Sequence, residues 1–157
     1  MKRSIIFRGV RRSALVILTL ILILTALISS NIRNSYSYTC QEWQETLLGL
    51  INQERANNGL APLTVDQELV RAATVRAQEA SVSWSHTRPD GTPFWTVSDW
   101  TNAEDLAKGF QSPRALLDGW LASPTHKDII FDGSLSLIGL YAYTNENGVV
   151  YVAAEFR

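Results

Sequence analysis

Apolar and polar positions alternate with a helical period from Thr39 onward. Trp43, Leu47, Leu50 and Ile51 recur at i, i+4, i+7 and i+8, one face of a helix. Thr39 and Glu42 have the spacing of a capping box at its start. "NNG" at 57–59 ends it, with Asn58 or Gly59 suited to a left-handed cap. After the crossing "LAPLTVDQ", Asp66 is placed to cap a second helix, whose stripe is Leu69, Ala73, Arg76 or Ala77, and Ala80. Its alanines permit close approach to a partner element. Residues 83–100 have no long period and contain the turn-formers of "RPDGTP", so they read as a long functional or mobile loop. "AEDLAKG" reads as a short helix or turn. Ser112-Pro113 and Ser123-Pro124 each signal a helix start with proline at the first position. Leu116, Leu117, Trp120 and Leu121 pack inward from the first of these. "LSLIGLYAY" and "VVYVAAEF", separated by "TNENG", predict an antiparallel hairpin. Gly139 inside the first strand signals a bulge or a close contact. Helices followed by strands predict an α+β fold with helices packed on an antiparallel sheet.

The first 37 residues follow another pattern. A basic start, "MKRSIIFRGVRR", precedes the apolar run "ALVILTLILILTALI". This is the layout of a secretory signal, and the run is shorter than the roughly 20 residues that span a bilayer comfortably. No clean A-x-A site follows; Ser30, or Ser35 with Ser37, offer the small residues for cleavage. The expectation is a secreted protein, or one on the extracellular face of the membrane if the run stays as an uncleaved anchor. Residues 1–37 are therefore read as signal or anchor plus polar linker, and 38–157 as a single domain.

Setting that segment aside changes the electrostatics. Six of the 14 basic residues precede Tyr38 and all 15 acidic residues follow it. The domain thus carries eight basic residues against 15 acidic ones, a formal charge of −7. That argues against nucleic acid as a partner and against adhesion to an anionic membrane by charge, leaving membrane contact only through the N-terminal segment. Cys40 is the only cysteine, so no internal disulfide forms and the core alone must hold an exported domain together. "SYTC" lies too far downstream of the apolar run for a lipid-attachment site, so Cys40 reads as a free thiol.

Candidate chemistry gathers in three places: Ser85-His86, Glu104 in "NAEDLA", and His126 in "WLASPTHKD". His86 and His126 are the only histidines. Through these pieces, and in this order, the chain from Leu48 to Phe156 resembles the CAP superfamily, the cysteine-rich secretory, antigen 5 and pathogenesis-related-1 proteins, in its bacterial, disulfide-free secreted branch. "LINQERANNGLAPLTVDQELVRAA" resembles the family's opening helix, crossing and second helix. "SHTRPDGTPF" resembles its first histidine loop, "AEDLAKG" its Glu-Asn segment, "GWLASPTHKDII" its second histidine segment, and "IGLYAY" with "VVYVAAEF" its closing strands. The resemblance implies a three-layer α-β-α sandwich with a central antiparallel sheet. It also implies a cleft in which His86, Glu104 and His126 converge. Two departures are evident: Ser123 stands where eukaryotic members carry a second glutamate, and Asp105 where an asparagine usually follows the first.

On their own chemistry these residues admit three uses. Two imidazoles and a carboxylate suit zinc or another divalent cation, with a position left open for water or substrate. Hydrogen bonds from the histidines to Glu104 would instead make a structural clasp. General acid–base catalysis is the third. A serine triad is poorly supported: no G-x-S-x-G elbow frames Ser85 or Ser123, and Ser123 reads as a helix N-cap. Trp43 and Trp120 read as core. Trp84, Trp95 and Trp100 surround the His86 loop, with Trp84 and Trp95 the candidates for ligand contact. Asp128 and Asp132 read as solvated or capping. The functional expectation is an exported, envelope-associated module that binds a small molecule, a lipid or a cell-envelope component. The alternatives are a peptide or ester hydrolase using the same cleft and a membrane-tethered structural surface domain.

Overall fold

The computed structural model describes residues 38–157, together with Ile17, Leu20 and Ile21 of the N-terminal segment, which are helical. The expected signal and its cleavage positions otherwise lie outside the described residues. Among the described residues no helix is long and apolar enough to cross a membrane.

Helix α1 (Cys40–Asn57) starts at the capping box. The Thr39 hydroxyl accepts from the Glu42 N–H, and the Glu42 carboxylate accepts from the Thr39 N–H at 2.7 Å. Its buried stripe is Trp43, Leu47, Ile51 and Arg55, with Leu50 at the margin. Gly59 takes the left-handed conformation that ends the turn, at φ 73°. Strand β1 (Thr64–Val65) leads to α2 (Gln67–Val82), where Asp66 caps the N–H groups of Glu68 and Leu69. A 3-10 turn (Phe94–Val97) interrupts the long loop. Strand β2 (Ala103–Lys108) follows, then α3 (Pro113–Ala122), α4 (Pro124–Ile130), β3 (Leu137–Thr144) and β4 (Val150–Phe156).

The strands form one sheet in the order β1-β3-β4-β2. β3, β4 and β2 are antiparallel, whereas the two-residue β1 runs parallel to β3, so the sheet is mixed at that edge. "AEDLAKG" is thus an edge strand and not the helix or turn its sequence suggested. Four consecutive residues, Glu104 to Ala107, are buried on alternating faces, which erases the polar–apolar alternation of a half-exposed strand.

Helix α2 covers one face of the sheet, where Ala73, Ala77 and Ala80 meet Leu106 and Ala153. Helices α1, α3 and α4 cover the other, where Trp43, Leu47, Ile51, Leu117, Trp120 and Ile130 pack on Ile138, Leu140, Val152, Ala154 and Phe156. This is an α-β-α sandwich in three layers. Gly139 makes no bulge, since the β3–β4 register runs unbroken through it. It is a close contact: a Cβ there would lie 2.0 Å from the Leu69 carbonyl carbon. The bare glycine lets the small-residue face of α2 sit directly on β3.

Arg55 closes the far end. Its wholly buried guanidinium donates to the carbonyls of Ala61, Ile130, Asp132 and Leu135. Those loop carbonyls lie out of reach of any ladder, and a buried backbone acceptor needs a donor from somewhere.

Candidate functional site

The two histidines reach one place from opposite layers. His86 sits in the loop that leaves α2, and His126 on α4. Between them a cavity of about 190 Å³ is lined by Trp84, Ser85, His86, Leu106 and His126. Leu106 belongs to β2, whose outer edge runs along the floor. Its outward carbonyl accepts from Trp120 Nε1 at 3.2 Å.

Each imidazole is anchored through the same atom. His86 Nδ1 lies 2.8 Å from Glu104 Oε1, and His126 Nδ1 lies 2.8 Å from Ser123 Oγ. The His126 ring also stacks on Trp120, with centroids 6.3 Å apart and planes at 22°. Neither Nε2 has a hydrogen-bond partner among the described residues. Burial, assisted by the neighbouring His86, lowers the His126 pKa and keeps that ring neutral.

Glu104 lies beneath His86 with its side chain fully buried. Arg76 holds it with Nε on Oε2 at 2.5 Å and Nη2 on Oε1 at 3.2 Å. Arg76 is itself wholly buried. It also bonds Glu79 at 2.6 Å and the Ser85 carbonyl at 2.9 Å, and Glu79 is in turn bound by Arg88. The network runs from Arg88 through Glu79, Arg76 and Glu104 to His86, and it pins the histidine loop to α2. Desolvation works against the Glu104 charge, but the bonds from His86 and Arg76 outweigh it and hold the carboxyl below its ordinary value. An ionised Glu104 only accepts, so His86 Nδ1 carries the proton. In neutral His86, Nε2 is then a free acceptor.

Two further acids are buried nearby without hydrogen-bond partners among the described residues. Glu155 stands opposite Glu104 in the β2–β4 ladder, on the α2 face. Its pKa is driven well above the ordinary value by burial and then by the Glu104 charge. Asp105 points to the opposite face, opposite Ala154, and burial with the charge of Glu104 raises its pKa to about 8.

Residues 48–156 match the family model described as CAP, the Cysteine-rich secretory protein family. The chain belongs to the CAP family. Among curated proteins this CAP domain is similar to the uncharacterised protein YkwD of Bacillus subtilis, at 27% identity over 119 residues, 71% of this chain and 46% of that one. It thus spans about half the length of that relative. Among solved structures it is similar to an outer surface protein of Borrelia burgdorferi, with a TM-score of 0.64 at 23% identity over 71% of this chain and 89% of that one. An extracellular protein of Bacillus anthracis containing an SCP domain gives a TM-score of 0.64 at 18% identity, over 74% of this chain and 41% of that one. Both are likenesses of fold.

The geometry separates the candidate residues of this CAP domain. His86, His126 and Trp84 line the cavity together. Glu104 supports His86 from below and does not line it. Trp95 lies outside the lining, 55% exposed and edge-on to Phe94 at 5.2 Å. Trp100 stacks on the Arg157 guanidinium at 3.7 Å. The zinc arrangement of His86, Glu104 and His126 does not fit: both Glu104 oxygens face Arg76 and one also takes His86. No three His, Cys, Asp or Glu side chains among the described residues are grouped to hold an ion. Ser123 occupies the N-cap position of α4, but its hydroxyl caps no helix N–H and turns to His126 instead. Ser85 Oγ accepts from the Thr87 N–H at 2.9 Å, which occupies it in a local turn. Cys40 is free, and Asp132 bonds the N–H and hydroxyl of Ser134. A separate, mostly apolar hollow of about 110 Å³ beside Leu48, Val65, Val70 and Ile138, with Gln44 and Glu45 at its wall, holds no histidine.

Arg76, Glu79, Arg88, Asp105 and Glu155 complete the surroundings, and sequence reasoning assigned none of them a part in the site. The available signal was an arginine at the centre of an alanine stripe, and a glutamate inside the otherwise apolar "YVAAEF".

Proposed function

We propose that this CAP domain is an exported binding module whose ligand enters the cavity between His86 and His126. One observation carries the reading: both imidazoles are fixed through Nδ1 while lining a single cavity, leaving two unpartnered Nε2 atoms available to a ligand. His86 supplies an acceptor. His126 Nε2 is a donor when the Ser123 hydroxyl donates to Nδ1, and an acceptor when that hydroxyl donates to Thr125 Oγ1 at 3.2 Å instead. Fixed polar groups set against apolar walls, here Trp84 and Leu106, are the usual composition of a small-molecule site. An extracellular or cell-surface setting accords with the N-terminal pattern and with the extracellular and outer-surface proteins that share the fold.

The test is ¹⁵N-histidine NMR of the full chain in a detergent without a sugar headgroup. The probes are acetate, N-methylacetamide and methyl glucoside. Saturable shifts of both Nε2 signals, abolished for the His86 signal by His126→Ala, support a shared ligand cavity. Independent or absent responses overturn it. Intact-mass analysis of protein recovered from the host's medium reads whether the leader is removed.

The bond from His86 to Glu104 favours a second reading, hydrolysis with His86 Nε2 as general base toward water. Among the described residues, the serine in the cavity lining is Ser85, whose Oγ accepts from the Thr87 N–H in a local turn. Turnover of a peptide or ester panel that falls at least about a hundredfold in His86→Gln would establish it.

A further inference from the structure

Trp84 is the cavity residue that the fold least requires. Its side chain lies past the end of α2, 44% exposed. Tyr151 packs against it with centroids 6.3 Å apart, and Lys108 Nζ lies 4.7 Å from its ring centroid. These contacts hold the indole in place, with Lys108 over part of the ring, and leave the residue 44% exposed. Beyond His86 the aromatic surface continues through Phe94, edge-on to His86 at 6.3 Å, and exposed Trp95. A held, half-exposed indole beside two unpartnered imidazole nitrogens matches a ligand with one apolar face and a polar rim. A pyranose ring is built that way: C–H groups on its face, and hydroxyls around the edge that both donate and accept.

We propose that the cavity binds one pyranose unit of a saccharide, its face against Trp84 and its hydroxyls on His86 and His126 Nε2; this rests on the binding-cavity reading above. Two observations select this chemistry. The volume of about 190 Å³ is below that of drug-sized pockets, roughly 300 Å³ and above, and has room for about one ring. Among the described residues no lysine or arginine lines the cavity, so a phosphate or carboxylate finds no counter-charge in its wall.

The experiment titrates the full chain, in the same detergent, with chitotriose, cellotriose and maltotriose, and with glycerol as a control for hydroxyl groups alone. Tryptophan fluorescence and the histidine Nε2 signals are read together. At least one trisaccharide saturates both with a dissociation constant of about 1 mM or tighter, and glycerol does not. Trp84→Ala weakens binding by about tenfold or more, Trp84→Phe retains it within about threefold, and Trp100→Ala leaves it unchanged. Circular dichroism confirms that each variant is folded. Failure of every trisaccharide to saturate, or equal binding by a folded Trp84→Ala, overturns the proposal. If acetate or N-methylacetamide moves the Nε2 signals while saccharides do not, the sugar assignment falls and the cavity reading stands. If nothing moves them, both fall.

Discussion

Asp105 should lose its pH dependence of stability when it becomes asparagine. The residue is fully buried, neither carboxyl oxygen has a partner among the described residues, and its pKa is raised to about 8. An unfolded aspartate titrates near pH 3.9. Between about pH 4 and pH 8, therefore, the native state holds a proton that the unfolded chain has shed, and stability falls as pH rises. The stability of neutral Asp105 is present in full below the unfolded value and is lost as pH climbs to the folded one. At pH 7 about three pKa units have been crossed at 1.36 kcal/mol each, an upper bound of about 4 kcal/mol. That is a large part of the roughly 5–15 kcal/mol that holds a domain folded. Relaxation of the core around the charge reduces it, so Asp105→Asn is expected to gain about 2–4 kcal/mol over wild type at pH 7.5 relative to pH 4.5. The assay is urea unfolding followed by tryptophan fluorescence at pH 4.5, 6.0 and 7.5. With a slope near 2 kcal/mol per molar urea, the midpoint difference should widen by about 1–2 M. Glu155 also titrates upward, but it is present in both proteins and cancels in the difference. An advantage that is the same at pH 4.5 and 7.5 would refute the claim that native Asp105 is protonated.

Gly139→Ala should cost about 3 kcal/mol or more in thermal or urea unfolding, since its Cβ meets the α2 backbone, whereas Gly49→Ala, exposed on α1 with open space around it, should gain about 0.5–1 kcal/mol. Equal effects would show that α2 does not rest on β3 as described. Arg55→Lys keeps the charge but strips donors from the buried carbonyls of Ile130 and Leu135, and should lose about 3 kcal/mol; a loss under about 1 kcal/mol would mean those carbonyls find water. Ser123→Ala should change stability by less than about 0.5 kcal/mol, because the hydroxyl caps no N–H, while shifting the His126 tautomer in ¹⁵N NMR; a loss near 1 kcal/mol with an unchanged tautomer would restore the capping role.

The helices were legible because each carried its own punctuation. Thr39, Asp66 and Ser112 are caps with short-range partners, and the stripes of α1 and α2 follow a local period. The hairpin was equally plain, with a turn-rich pentapeptide between two β-branched and aromatic runs. β2 was not, because its neighbours are far away in sequence. Burial on both faces gave it no alternation, and the adjacent Glu104 and Asp105 look solvated until their opposite faces are known. The parallel pairing of β1 was invisible for a related reason, since two residues carry no periodic signal. In the site, the two histidines stood out by scarcity and by likeness to a known family. The network behind Glu104 did not: Arg76 fell on the inward stripe as an alternative to Ala77, but nothing local pairs it with Glu104, and Glu79, which bonds Arg76 and Arg88, looks like an ordinary charge on a helix. The packing of α2 against the sheet brings Arg76 onto Glu104. The same packing explains why the carboxylate that suggested a metal ligand is engaged by a guanidinium.

Arg55 has a consequence for the order of assembly. Its acceptors at Ile130, Asp132 and Leu135 are 75, 77 and 80 positions along the chain. A partly assembled chain that seated α1 first would strand a cation in oil, and one that closed the distal loop first would strand its carbonyls. Half-built states are penalised from both directions, so α1 and the loop between α4 and β3 are bound to order together.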